Sequence, residues 1–185
     1  KVPFGLQESH SVPFSAIGIR QQRTSTSFVL MTGEDPIEVE LPMVGVHNVQ
    51  NCLAAIALGS ELGYDVNSMA SALASLPAIP GRLERVDQGQ PFAVFIDYAH
   101  TADALRRVLE TLRRLSPGRL LVLFGCGGGR DQGKRREMGR IAARLADQSW
   151  ITNDNPRFED PETIVADIVD GIQAVGGHRW QVEYD

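Results

Sequence analysis

Three short polar clusters in this 185-residue sequence carry the side chains needed to handle a charged ligand. Asp97, Tyr98, Ala99 and His100 form the first, Gly125 to Arg135 (GCGGGRDQGKR) the second, and Asn153 to Arg157 (NDNPR) the third. Each follows an apolar run of strand length. In an open parallel sheet, ligands sit outside the carboxyl ends of the strands, so all three clusters are expected to face one crevice. An aspartate, a histidine, a lysine and several arginines converging there suit a charged substrate and a phosphate-bearing cofactor.

Taken singly, each cluster has a plainer reading. The glycines lack the full dinucleotide fingerprint, and no glycine loop ending in Lys-Ser or Lys-Thr occurs, so tight turning or close packing explains them as well as a phosphate cradle does. Asp97 and His100 could shape the start of the next helix. Arg130 and Arg157 could be solvated surface arginines. Cys126 reads as a small buried residue, because no histidine lies near it in sequence to lower its pKa.

The elements that must position these clusters can be read from hydrophobic spacing. Ser15 to Leu41 is rich in β-branched and aromatic residues, with a GEDP turn (Gly33 to Pro36) between TSFVLMT and IEVELP, and reads as a hairpin. A helix starting near Asn48 carries Val49, Cys52, Leu53 and Ile56, and another after Asp65 carries Met69, Leu73 and Leu76. Pro77 to Pro91 suits a connector. Beyond it, FAVFIDYA, RLLVLFG, SWITND and WQVEY read as strands. The helices between them carry Leu105, Val108, Leu109, Leu112 and Leu115, then Met138, Ile141, Ala142 and Leu145, then Ile164, Ile168 and Ile172. Asp160 and Pro161 mark the start of the last helix as N-cap and first turn. This alternation predicts an α/β fold in which a Rossmann-like, mostly parallel sheet with helices on both faces follows a β-hairpin and helices. The expected domains are 1–88 and 89–185.

Composition excludes several classes. At 43% hydrophobic and a net charge of −5 the chain is neither disordered nor membrane-spanning, and the mildly acidic balance without a basic tract argues against nucleic acid as the main partner. Cys52 and Cys126 are too few for a disulfide framework or a zinc site, which makes a cytoplasmic setting the expectation. The sequence starts without Met and stops within strand-like residues, so it reads as a piece of a longer chain.

The combination of strings resembles the Mur ligases, ATP-dependent amide-forming enzymes of peptidoglycan precursor synthesis, and hence of cell-wall biogenesis, cell shape and division. The matching segments are GVHNVQNCLAAIA (Gly45 to Ala57), LPAIPGRLERV (Leu76 to Val86), DYAHTADAL (Asp97 to Leu105), LFGCGGGRDQGKR (Leu123 to Arg135) and NDNPRFEDP (Asn153 to Pro161). The resemblance implies that 1–88 ends a central ATP-binding domain and that 89–185 is most of a C-terminal domain. It also implies nucleotide-binding roles for Asn48, Asn51, Arg82 and Asp97, with Tyr98 and His100 lining the same site. Amides can read an adenine edge, an arginine fork can grip phosphate, and a carboxylate can accept from ribose hydroxyls.

By the same resemblance, Asp154, Asn155, Pro156 and Arg157, together with Arg130, would bind meso-diaminopimelate in preference to lysine. The two amino acids differ by a distal carboxylate, which an arginine rewards by roughly 1–3 kcal/mol. ATP would activate the carboxyl end of a UDP-MurNAc-dipeptide as an acyl phosphate, with Mg2+ and protein cations neutralising charge. The remaining partners would be small molecules, with no nucleic acid or membrane among them. The resemblance further implies that the uridine-nucleotide domain, the Walker A loop, a carbamylated lysine and the magnesium ligands lie outside these residues, as does a tail completing the amino-acid pocket. No metal ligand or catalytic residue is therefore expected here, and no ligase activity from this piece alone.

Two positions depart from the family pattern: Gly129 stands where aspartate is usual, and Ala102 where proline is usual. Cyanophycin and folylpolyglutamate synthetases share the nucleotide-site logic but not the DNPR string. A non-catalytic Rossmann-like nucleotide-binding module would leave the Asn48 and Asn51 helix unexplained.

Overall fold

The computed structural model describes residues 2–6, 12–22, 24–77, 79–177 and 179–184; Ala78, within the Leu76 to Val86 string, lies outside them. The chain forms two compact units, Lys1–Asp97 and Tyr98–Asp185.

In the first unit, β1 (Phe4–Gly5), β2 (Phe14–Gln21), β3 (Thr26–Met31) and β4 (Ile37–Leu41) form one sheet in that order. The predicted hairpin is β3 and β4, antiparallel with Leu30 opposite Ile37 and Thr26 opposite Leu41. The alternation of β3 decides which side is core. Thr26, Phe28 and Leu30 point inward and are buried, as are Val39 and Leu41 opposite. Helix α1 (Val46–Glu61) lays Val49, Cys52, Leu53 and Ile56 onto this face. Helix α2 (Val66–Ala74) begins where the Asp65 carboxylate accepts the Ser68 N–H at 2.8 Å.

One predicted strand pairs differently from expectation. The FAVFIDYA run forms β6 (Val94–Ile96), which pairs antiparallel with β5 (Glu84–Val86) in a separate two-stranded ribbon, while the three-stranded parallel sheet holds only β7, β8 and β9. The reason is local. A short turn brings β5 back beside β6 at little loop-closure cost, and Asp97 Oδ2 locks the ribbon's end by accepting the Leu83 N–H at 2.8 Å.

In the second unit, β7 (Leu121–Phe124), β8 (Gln148–Thr152) and β9 (Trp180–Glu183) run parallel, with Phe124 beside Ile151 and Ile151 beside Val182. They are linked through α4 (Gly133–Leu145) and α5 (Pro161–Gln173), and preceded by α3 (Ala102–Leu115). This is the parallel α/β arrangement expected from the alternation of apolar runs and helical stripes. Leu105, Leu109, Met138, Ile141, Ile151, Ile164, Ile168 and Ile172 make the core. Helices α4 and α5 cross at backbone contact. A Cβ added at Gly139 would lie 2.1 Å from the Ile168 carbonyl, and one at Gly171 would lie 2.0 Å from that of Arg136. Only glycine at both positions allows this approach.

Candidate functional site

In the second unit, the β7–α4 and β8–α5 loops lie at the carboxyl ends of neighbouring parallel strands and pack directly on one another. The Gly128 N–H donates to the Asn155 carbonyl at 2.9 Å, and the Arg157 guanidinium donates to the Gly128 carbonyl in return. A Cβ at Gly125 would lie 2.5 Å from the Thr152 carbonyl, and one at Gly128 would lie 1.9 Å from that of Pro156. These glycines therefore serve close backbone packing. Gly129 has φ +61°, and a Cβ there would meet Arg157 Cδ at 3.3 Å, so the Arg157 side chain packs against the residue that precedes Arg130.

The Asp154–Arg157 loop is internally braced. Asp154 Oδ1 accepts the Asn155 N–H at 2.7 Å, and Asn155 Oδ1 accepts the Arg157 N–H at 3.1 Å. Arg157 adopts φ 54°, unusual outside glycine and costing of order 1–3 kcal/mol, a strain that clusters at functional sites. Asp154, Asn155, Arg157 and Arg130 are exposed and Pro156 is half-buried, so this cluster offers cations and amide groups to solvent.

Sequence reasoning missed what stands behind the loops. Arg135 is fully buried. Its guanidinium donates to both oxygens of Glu159, at 2.9 and 2.8 Å, and to Asp167 Oδ2 at 3.0 Å. Burial alone would lower the guanidinium's pKa, but the bonds to Glu159 and Asp167 outweigh it and hold the value above normal. The Gly129 N–H and Arg135 hold the Glu159 carboxyl below its ordinary range. The only sequence signal was an arginine in α4's first turn, which commonly reads as surface.

Cys126 is buried with its Sγ 3.7 Å from Met138 Sδ, and burial raises its pKa, so it is a packed thiol and not a nucleophile. Burial likewise pushes Cys52 up to about 11.

The residues expected to hold nucleotide fall in both units. Asn48 is buried, donating from Nδ2 to the Val44 carbonyl at 2.9 Å, while exposed Asn51 donates to Asn48 Oδ1 at 3.5 Å. The two amides thus form one chain at the start of α1, with Asn51 at its outer end. Arg82 is exposed and Asp97 half-buried, and the Leu83 bond ties Asp97 to the segment that carries Arg82. In the second unit, the Tyr98 and His100 rings meet in a tilted contact with centroids 5.1 Å apart at 59°, and Lys134 Nζ donates to the His100 carbonyl at 2.9 Å. Neither Asp97 nor His100 caps α3; Thr101 does, its hydroxyl accepting the Ala104 N–H at 3.2 Å. Among the described residues no group of three or more His, Cys, Asp or Glu is placed to hold a metal ion. No described helix is long and apolar enough to cross a membrane.

Residues 81–184 match the model of the Mur ligase glutamate ligase domain, and residues 1–59 that of the Mur ligase middle domain. The chain is 44% identical over 160 residues to the UDP-N-acetylmuramoyl-L-alanyl-D-glutamate--2,6-diaminopimelate ligase of Syntrophomonas wolfei subsp. wolfei, covering 86% of this chain and 33% of that protein. It is 50% identical over 146 residues to the ligase of the same name from Solibacter usitatus, covering 79% of this chain and 30% of that one. A solved structure of a ligase with this name superimposes over 100% of the chain and 37% of its own length, with 34% identity and a TM-score of 0.64. The chain spans about a third of the length of the curated relatives it matches.

Proposed function

The chain belongs to the Mur ligase family, and from that premise we propose that it forms part of an ATP-dependent ligase adding meso-diaminopimelate to UDP-MurNAc-L-Ala-D-Glu in peptidoglycan precursor synthesis. Residues 1–88 would then end the ATP-binding middle domain and residues 89–185 form most of the amino-acid-binding C-terminal domain.

The observation that carries this reading is the strained, braced presentation of Arg157 against the glycine-rich loop that carries Arg130, at the ends of β7 and β8. In the proposed reaction, a carboxylate oxygen of the dipeptide attacks the γ-phosphorus of ATP and the bond to ADP breaks. The amine of diaminopimelate then attacks the acyl carbon, the carbon–oxygen bond to phosphate breaks, phosphate leaves, and the amine loses a proton. This chain's part is to bind and orient. Arg157 and Arg130 grip the distal carboxylate, and the Asn155 side chain hydrogen-bonds the same amino acid while Asp154 and Pro156 shape the loop. Asn51, backed by Asn48, would meet the adenine, and Arg82 the phosphates. Asp97, with one oxygen on Leu83, would take ribose hydroxyls with its other, and Tyr98 and His100 would offer ring faces. Magnesium would neutralise phosphate charge in such transfers; among the described residues no group of three or more His, Cys, Asp or Glu is placed to hold it. Small-molecule substrates and a cytoplasmic setting follow from the same reading.

Replacing Arg157 by Ala in the full-length ligase that carries this chain tests the proposal. The preference for diaminopimelate over lysine, measured as the ratio of kcat/KM values, should fall by about tenfold or more. Retention of full selectivity would remove the basis for this pocket.

A further inference from the structure

Arg135 heads the fully buried side chains, and the site described above does not explain why a cation stands there. A fold that needed only to fill the space between α4 and α5 would do as well with an apolar side chain, because taking an ion pair out of water offsets most of its attraction. The pairing is also incomplete, since Arg135 Nε is buried without a partner. Its place is fixed from behind, where α4 and α5 meet at Gly139 and Gly171 and the Arg135 N–H donates to the Gln132 carbonyl at 3.1 Å.

What the cation holds is Glu159, and Glu159 touches both site loops. It lies two residues after Arg157. Its Oε1, besides bonding Arg135, accepts the N–H of Gly129 at 2.5 Å, and Gly129 immediately precedes Arg130. One carboxylate therefore ties the glycine-rich loop to the loop that carries Arg157, and the buried guanidinium fixes that carboxylate with two bonds from its Nη2, while its Nη1 is held by Asp167.

We infer that Arg135 and Glu159 are positioning residues, a buried latch that sets the separation of Arg130 and Arg157 and thereby the selectivity for the amino-acid substrate. The inference rests on the substrate reading given above. A glutamine at 159 keeps the size and can still accept from Gly129. Its amide NH2, however, would face a guanidinium N–H, donor against donor, and the two-bond grip on Arg135 becomes one. The loops stay folded but lose their fixed spacing. A bidentate contact with a carboxylate does not survive a shift of about 1 Å, so binding of the amino acid suffers while ATP handling does not.

Glu159→Gln, Arg157→Ala and the double variant, compared in the full-length ligase, test the latch. Glu159→Gln should raise KM for diaminopimelate about tenfold with kcat and KM for ATP within about twofold, and should add nothing once Arg157 is Ala, because Glu159 acts through the arginine. An unchanged KM for diaminopimelate, an equal rise in KM for ATP, or full additivity with Arg157→Ala each overturns the latch. Should Glu159→Gln fail to fold, Glu159→Asp is the second variant. It leaves Arg135 a counter-charge but is one methylene too short to reach Gly129 as well, and the same rise in KM is expected. If Arg157→Ala leaves KM for diaminopimelate unchanged, the substrate reading falls and the latch's role in selectivity with it. If Arg157→Ala raises KM and neither Glu159 variant does, only the latch falls.

Discussion

At the scale of single residues, the site is shaped by what is absent from its glycines. Gly128 is buried, and a methyl there would stand 1.9 Å from the Pro156 carbonyl, a backbone atom that cannot swing aside. Gly128→Ala should therefore push the two loops apart and cost about 1–3 kcal/mol of unfolding free energy, within the range for an overfilled site. Gly118→Ala is the control. Its methyl would meet nothing nearer than Ser116 Oγ at 3.8 Å, so its effect should stay within about 0.5 kcal/mol. Urea unfolding of both variants makes the comparison, and equal effects would show that loop packing is not what Gly128 provides. The identity of these residues was legible in the sequence, because a glycine cluster after an apolar strand marks a tight place. Their partner was not. Pro156 lies 28 residues further along, and nothing local in either string says that the second loop will rest on the first. The same separation hid Glu159 from Arg135 and from Gly129.

At the scale of elements, helix starts and buried stripes were readable and strand partners less so. Asp160 is the N-cap of α5, its Oδ1 accepting the Glu162 N–H at 3.0 Å, with Pro161 in the first turn. The Asp-Pro pair alone is enough to place this start. Because α5 carries Asp167 against Arg135 and follows directly from the Arg157 loop, its first turn anchors the site. Asp160→Ala should cost about 1 kcal/mol, read as a lower urea midpoint at unchanged m-value. A changed m-value would mean that more than the cap was lost. Strand β6 shows the limit of this kind of reading. Its apolar run looks like those of β7 and β8, yet it pairs with β5. Glu84 to Val86 is only three residues long and lies in a segment whose prolines and glycines suggested a connector. Composition reports that a run is apolar and extended, but not which neighbour will take its backbone hydrogen bonds. The close crossing of α4 and α5 was unreadable for a related reason. Gly139 and Gly171 each look like weak points in a helix until the other helix is seen against them.

At the scale of the molecule, acid sensitivity is distributed unevenly between the two units. Among the described residues, four carboxyls are held clearly below their ordinary range, and three of them lie in the Tyr98–Asp185 unit. These are Asp103 through its bond to Arg107, Asp147 through the Leu120 N–H and then Arg113, and Glu159 through the Gly129 N–H and then Arg135. Asp65 in the first unit is held by Ser68. A carboxyl with a lowered folded pKa favours the folded state wherever it is ionised in both states, above about pH 4–4.5. Below that the unfolded chain takes up protons first, and the contribution is lost as pH falls through the lowered folded value. The second unit should therefore hold its stability from pH 7 to about pH 5 and lose part of it toward pH 3. Both tryptophans, Trp150 and Trp180, lie in this unit, so their fluorescence during urea unfolding reports on it directly. Asp147→Asn isolates one contributor. Asp147 Oδ2 accepts from the Leu120 N–H at 2.7 Å and from Arg113 at 2.8 Å, joining the start of β7 to the start of β8. The variant should unfold at lower urea at pH 7 and lose less on going from pH 5 to pH 3, because the charge whose protonation drives part of the loss is already gone. An equal loss in the variant and the parent would mean that the acid sensitivity arises elsewhere than at this carboxyl.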